Sequence, residues 1–226
     1  MEEETRAYEE LRIGFTAAVS HELRTPLARL LSLLDSAALP GADRDGLLAQ
    51  AREEVEEMSE LVDDVLFLSE LETGREVVAL GSTPALPVLE EVRDRFADSA
   101  ERADVSIRID APAGIELPLR RRMLQIVVEN LAENAIRYAG PGSTLTLSAS
   151  AGELEAADDG RGLDRDELPR VFERFYRGDR ARASRGTGLG LAIVKRVVVA
   201  AGGEVEAAGG PGHGFVVRCR FTNAPG

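Results

Sequence analysis

The sequence predicts an α+β protein in two parts: an antiparallel helical hairpin, then a mixed sheet with helices on one face. Three observations lead there. Over roughly the first seventy positions, apolar residues recur at spacings of three and four, the period of one helical face. From about Thr83, helical stretches mix with short alternating runs, the period of a half-buried strand. Glycine clusters separate the later strand candidates, as hairpin connections do.

In the first helix Phe15, Val19, Leu23, Leu27, Leu30 and Leu34 share a face, and Pro40-Gly41 stops the run. In the second, Leu48, Ala51, Val55, Met58, Val62 and Val65 form a heptad seam, and Gly74 follows as a C-terminal cap. Each helix carries a broad apolar stripe that a lone hairpin cannot cover. A second copy, giving a dimeric four-helix bundle, is the simplest cover; packing on the rest of the same chain is the alternative. Beyond the hairpin, helices are expected over 86–103, 119–138 and 189–201. Strands are expected over 105–109, 145–147, 154–157, 205–207 and 215–221. The run Glu155-Ala156-Ala157 is small and polar, so its strand is expected to be short or weak. The domain bounds that follow are 1–74 for the hairpin, 75–86 for a hinge and 87–226 for the sheet-containing part.

Composition narrows the function. With 27 Lys plus Arg against 40 Asp plus Glu, the formal net charge is −13, which gives no support to general nucleic-acid binding. One cysteine, Cys219, makes no intramolecular disulfide, and with two histidines it builds no Cys/His zinc site. No run approaches the roughly 20 apolar residues of a bilayer span, and Met1-Glu2-Glu3-Glu4 lacks the features of a signal peptide. The chain is expected to be cytoplasmic.

Four segments carry candidate chemistry. His21 lies about 120–180° around the helix from the apolar face, so it points to solvent, with Thr25 one turn on. An exposed imidazole titrates near neutrality and can act as a nucleophile, and the adjacent Glu22 can take its proton. By position alone, the ordinary surface histidine is the stronger reading of His21. Pro26 within the same helix costs a backbone hydrogen bond. Asn130 and Asn134, four apart, face one way, and an amide oxygen can meet Mg²⁺ without repelling phosphates. Asp158-Asp159-Gly160-Arg161-Gly162 follows a strand; its glycines allow close approach to a flat ligand, and a carboxylate accepts from an exocyclic amine. Gly186-Thr187-Gly188-Leu189-Gly190-Leu191 opens a helix, where glycine-rich backbone favours anions. Each signal is weak alone. The last lacks the Lys-Ser/Thr of a P-loop and follows no obvious strand, against a dinucleotide fold.

Together they carry a resemblance. His21 to Leu27 resembles the phosphoacceptor box of the sensor histidine kinases of two-component signalling. Asn130 to Tyr138 is similar to their asparagine box, Asp158 to Gly162 to the first glycine box, Phe172 to Arg177 to the phenylalanine box, and Gly186 to Lys195 to the second glycine box. All five stand in family order, over about residues 8–222.

The resemblance implies a dimeric helical hairpin followed by an α/β-sandwich ATP-binding domain, with ATP and Mg²⁺ as ligands. It implies that His21 attacks the γ-phosphate, with Glu22 as acid/base and Thr25 supporting dephosphorylation of the partner. Asn134 matches the Mg²⁺-binding position, Asn130 lies beside the phosphates, and Arg137 and Tyr138 lie near phosphates and adenine. Asp158 matches the acceptor of the adenine amine, with Gly160 and Gly162 shaping the pocket. The Gly186, Thr187, Gly188, Leu189, Gly190 loop surrounds the phosphates, and 171–185 becomes an ATP lid with Arg177, Arg180, Arg182 and Arg185 as candidates. Phe172, Phe175 and Tyr176 are expected to anchor the lid by packing rather than to touch the ligand. The implied partners are a second copy of the chain and the receiver domain of a response regulator; a membrane enters only through a sensor region upstream. The sequence departs from the family at Pro118-Leu119-Arg120, where an Asp usually opens the helix. Water-activating relatives of the same nucleotide-binding superfamily carry Glu where this chain has Asn130, which argues against ATP hydrolysis as the main activity.

Overall fold

The computed structural model describes residues 2–73, 81–178 and 186–222, with side chains from Thr16 onward. The expectations for the Phe15 side chain, Gly74, residues 75–80 of the hinge and the lid residues Arg180, Arg182 and Arg185 lie outside the described residues. Contacts divide the chain into two units, Met1–Phe67 with Arg185–Thr187, and Leu68–Ser184 with Gly188–Gly226.

The first unit is built on α1 (Glu2–Ala37) and α2 (Arg44–Glu72). α1 continues through Pro26, which is buried. The reversal passes through Gly41 at φ 81, and α2 starts at an aspartate: the Gly46 amide donates to Asp43 Oδ1 at 3.2 Å, the geometry of an N-cap. The expected seam of α2 divides in two. Ala51 is buried and Met58 and Val65 are half-buried, whereas Leu48, Val55 and Val62 are exposed. The inner face also takes Glu54, buried to 7% and 3.8 Å from Arg29. On α1, Leu27 and Leu34 of the expected face are exposed too, beside Leu31.

The second unit is a sheet under three helices. Its main elements are α3 (Ala85–Ala103), β2 (Val105–Asp110), α4 (Arg121–Tyr138), β4 (Ser143–Ser150), β5 (Glu153–Asp158), α5 (Gly190–Ala200), β6 (Gly203–Gly209) and β7 (Phe215–Phe221). Two short strands, β1 (Thr83–Pro84) and β3 (Glu116–Leu117), pair with each other and were not expected. The five-stranded sheet runs β2-β4-β5-β7-β6, with β2 and β4 parallel and the other pairs antiparallel. Alternation sets its two faces. Leu145, Leu147, Leu154, Val217 and Cys219 point inward, against helix residues such as Leu89, Leu124, Val128 and Val194, all nearly fully buried. The opposite face carries a charge ladder: Arg218 pairs with Glu155, and Arg220 bridges Glu153 at 3.1 Å and Glu206 at 2.9 Å.

β5 corrects an expectation. It is neither short nor weak but spans six residues between two neighbours. Pairing on both edges outweighs the low strand preference of its alanines. Arg120 stands at the N-cap of α4 and makes no side-chain cap hydrogen bond, so the departure from the family's Asp leaves that helix end uncapped by a side chain.

Candidate functional site

α4 is the element on which the site is assembled. Its helical spacing puts Asn130, Asn134 and Arg137 in successive turns, all half-buried. Asn130 donates from Nδ2 to the Ile126 carbonyl at 2.8 Å, which turns Oδ1 outward. That oxygen meets the first residue of α5: a Cβ on Gly190 would stand 2.6 Å from it. The Asn134 side chain makes no hydrogen bond among the described residues. Arg137 pairs with Glu133 on its own helix, and Tyr138, the last residue of α4, is half-buried.

The end of α4 receives the loop after β5. The Arg161 amide donates to the Ala139 carbonyl at 2.9 Å, and a Cβ on Gly160 would overlap that same carbonyl. Gly162 adopts φ 65, and a Cβ there would overlap the Gly210 carbonyl in the β6–β7 turn. These glycines therefore have a packing reason beside the ligand-approach reason read from the sequence. The turn itself was missed as part of the site. Its Gly212 amide donates to the Arg161 carbonyl at 2.8 Å, and its Gly214 amide to the Gly160 carbonyl at 3.1 Å. The signal was available in Gly209-Gly210-Pro211-Gly212-His213-Gly214.

Asp158 ends β5 between Leu145 and Phe215 of the neighbouring strands. Its Oδ1 accepts the Gly160 amide at 2.9 Å. Burial raises its pKa above the usual carboxylate value; the amides of Gly160 and Phe215 pull it down, and Asp159 pushes it up. A half-buried carboxylate aimed from a strand end can fix a ligand that donates hydrogen bonds.

The second glycine box is divided between the units. Gly188 and Gly190 belong with the sheet, where the Gly188 carbonyl accepts the Phe175 amide at 3.0 Å. Leu189 between them is fully buried, so it offers the site backbone only. Gly186 and Thr187 group with the hairpin: the Gly186 amide donates to Glu57 Oε1 at 3.0 Å and the Thr187 hydroxyl to Asp64 Oδ2 at 2.9 Å. Within the phenylalanine box, Arg170 stacks 4.5 Å over the Tyr176 ring, and Glu167 accepts the Tyr176 hydroxyl at 3.4 Å.

His21 lies on α1 in the first unit. Its side chain is 74% exposed, and Nδ1 faces Glu22 Oε1 at 3.5 Å. Nε2 is thus the ring nitrogen left for chemistry. Thr25 is also exposed.

The residues present suit a nucleotide with its magnesium. Asn134 offers a half-buried amide free of hydrogen bonds among the described residues, and Asn130 directs an oxygen toward the start of α5. Among the described residues no cluster of three or more His, Cys, Asp or Glu could hold a metal by itself.

Comparison with known proteins agrees with this geometry. Residues 11–74 match the family model of the His Kinase A (phospho-acceptor) domain. Residues 120–225 match that of the histidine kinase-, DNA gyrase B-, and HSP90-like ATPase. The sensor-like histidine kinase SenX3 of Mycobacterium tuberculosis is 33% identical over 216 residues, 91% of this chain and 52% of SenX3. The chain therefore spans about half the length of the curated relatives it matches. The structure of Acinetobacter baumannii histidine kinase AdeS aligns with TM-score 0.71 at 26% identity, covering 90% of this chain and 98% of that one. The fold is shared with histidine kinase ThkA in complex with response regulator protein TrrA, at TM-score 0.72 and 18% identity, over 97% of this chain and 65% of that one. Among the described residues, no helix is long and apolar enough to cross a membrane. With both domain models matched and named relatives aligned over nine-tenths of its length, the chain belongs to the sensor histidine kinases of two-component signalling.

Proposed function

We propose that this chain phosphorylates His21 from Mg²⁺-ATP and passes the phosphoryl group to an aspartate of a response regulator. The observation that carries the reading is the His21–Glu22 pair: an exposed imidazole whose Nδ1 is 3.5 Å from a carboxylate. The Nε2 lone pair attacks the γ-phosphorus, the bond to the β-phosphate oxygen breaks, and ADP departs. The Nδ1 proton is held by Glu22, which keeps Nε2 nucleophilic. The regulator's carboxylate then attacks the phosphorus and the N–P bond breaks, returning neutral His21. Phosphoryl transfer needs placement more than new covalent chemistry. In this reading Asp158 fixes the adenine amine, Asn130 and the start of α5 face the phosphates, and Asn134 is the magnesium ligand. Magnesium supplies charge neutralisation at the phosphates. Arg137, Tyr138 and the loop from Gly186 to Gly190 complete the pocket.

The chain works as a homodimer in this reading. Leu27, Leu31 and Leu34 on α1, with Leu48, Val55 and Val62 on α2, leave an apolar stripe that a second hairpin would cover. Thr25, exposed one turn from His21, orients a water that hydrolyses the regulator's aspartyl phosphate to carboxylate and inorganic phosphate, the opposing phosphatase reaction. Residues 1–74, 75–86 and 87–226 serve as phosphotransfer hairpin, hinge and catalytic domain.

The test is incubation with γ-labelled ATP and Mg²⁺, comparing wild type with His21→Gln and Asn134→Ala. Acid-labile, base-stable label lost in both variants is expected. Label surviving His21→Gln sinks the assignment of the acceptor. Added phospho-regulator, with Thr25→Ala as the comparison, tests the phosphatase step; decay that ignores Thr25→Ala removes Thr25 from the reaction.

A further inference from the structure

Two described non-glycine residues adopt positive φ, Asp104 and Phe175. Asp104 caps α3, where the left-handed conformation is ordinary for a short polar residue. Phe175, at φ 61, is a bulky aromatic in a conformation that such residues avoid. A strained backbone persists only where its surroundings over-determine it, and such residues cluster at functional sites.

The surroundings of Phe175 do this. Its amide donates to the Gly188 carbonyl at 3.0 Å. Gly188 is left-handed as well, at φ 68, and a Cβ on it would lie 2.9 Å from the Phe175 carbonyl carbon. The two residues interlock, and only glycine fits the second position. On the far side, the Tyr176 amide donates to the Glu173 carbonyl at 3.3 Å, and the Tyr176 ring is held under Arg170. Gly188 stands two residues before Gly190, the residue that opens α5 against Asn130. One strained peptide thus sets the backbone that leads into the helix start.

We propose that Phe175 is a positioning residue of the nucleotide site. Its left-handed backbone, rather than its ring, holds Gly188–Gly190 in the conformation that receives the phosphates. The inference rests on the nucleotide-binding reading above and deepens it.

The test separates backbone from ring. Phe175→Gly and Phe175→Asn delete the ring but tolerate positive φ; Phe175→Ile and Phe175→Val keep apolar bulk but, being β-branched, resist it more than phenylalanine does. The full chain is titrated calorimetrically with Mg²⁺ and a non-hydrolysable ATP analogue, and thermal midpoints are recorded alongside. The Gly and Asn variants are expected to bind within about threefold of wild type, and the Ile and Val variants at least about tenfold more weakly. This order need not follow the midpoints, whereas a merely structural role would make affinity track them. Wild-type-like binding by the Ile and Val variants, with loss in Gly and Asn, overturns the proposal in favour of side-chain packing. Equal loss in all four overturns it as well. Failure of the wild type to bind the analogue overturns the nucleotide reading itself.

Discussion

Gly190→Ala separates nucleotide binding from folding. Gly190 has no positive φ and is the first residue of α5, so alanine meets no backbone penalty there. Its new Cβ would lie 2.6 Å from Asn130 Oδ1, well inside the 3.4 Å of ordinary contact. The neighbour is the end of a side chain, so Asn130 can turn away. Doing so gives up its 2.8 Å bond to the Ile126 carbonyl, a loss of about 1 kcal/mol. Replacing glycine by alanine in a helix returns up to about 1 kcal/mol. The terms nearly cancel, and the melting temperature should stay within about 4 °C of wild type. Binding has no such compensation. Losing a polar contact to a charged ligand costs about 1.5–3 kcal/mol, or roughly ten- to a hundredfold in affinity. Circular-dichroism melts and calorimetric titration with Mg²⁺ and an ATP analogue measure both. Gly160→Ala is the contrast: its Cβ overlaps the Ala139 carbonyl, which is backbone and cannot turn aside. That overpacking should cost about 3 kcal/mol and lower the midpoint by roughly 6–12 °C. The reasoning fails if Gly190→Ala melts like Gly160→Ala, or if it binds the analogue like wild type.

Two further outcomes follow from burial. Burial raises the pKa of Asp158 above its ordinary 3.8 in the folded chain. A raised folded pKa means stability that is complete below the unfolded pKa and declines as pH rises through the folded one. Asp158→Asn should therefore raise the melting temperature of the nucleotide-free chain at neutral pH while abolishing nucleotide binding. The gain should vanish as pH falls toward about 4; a gain independent of pH, or a loss at neutral pH, contradicts the assigned cause. Val55, 51% exposed in the single hairpin, should tolerate Glu in a monomer but not in a dimer. Val55→Glu is expected to weaken self-association at least about a hundredfold, read by light scattering, with a helical spectrum retained. An unchanged dimer would place the interface elsewhere.

Most of the fold was legible because periodicity reports the faces of elements. Every strand of the five-stranded sheet and each helix of the second unit was expected within a few residues. What periodicity does not report is which neighbour covers a face. It groups Leu48, Val55 and Val62 with Ala51, Met58 and Val65, yet the first three are exposed and the others turn inward. Nor does an apolar count reveal Glu54, a charged residue at an inner position. The strand over Glu155-Ala156-Ala157 looked weak because local preference is set by the residues themselves, whereas its place between β4 and β7 is set by pairing that is distant in sequence. Among the site residues, the motifs marked the segments but not the reasons. No local pattern says that Gly160 fits against Ala139, or that Phe175 turns left-handed to meet Gly188.

Two opposite environments serve the proposed chemistry. In the proposed reaction His21 is the phosphoryl acceptor and meets two partners in turn, and its 74% exposure leaves it open to both. Burial there would hide Nε2 and depress the basicity of the ring. Asp158 has the reverse task, selecting one face of one ligand, and its partial burial is what makes a single hydrogen bond decisive. The amides of Gly160 and Phe215 offset part of the cost of that burial in the free protein, and a ligand donor would offset more. α4 reconciles the remaining demands. It carries the two asparagines, takes the loop after β5 at Ala139 and meets α5 at Asn130. The segments around the nucleotide pocket are therefore referred to one rigid helix, so a change of about a methyl group at Gly160 or Gly190 reaches the ligand through contacts rather than through the chain.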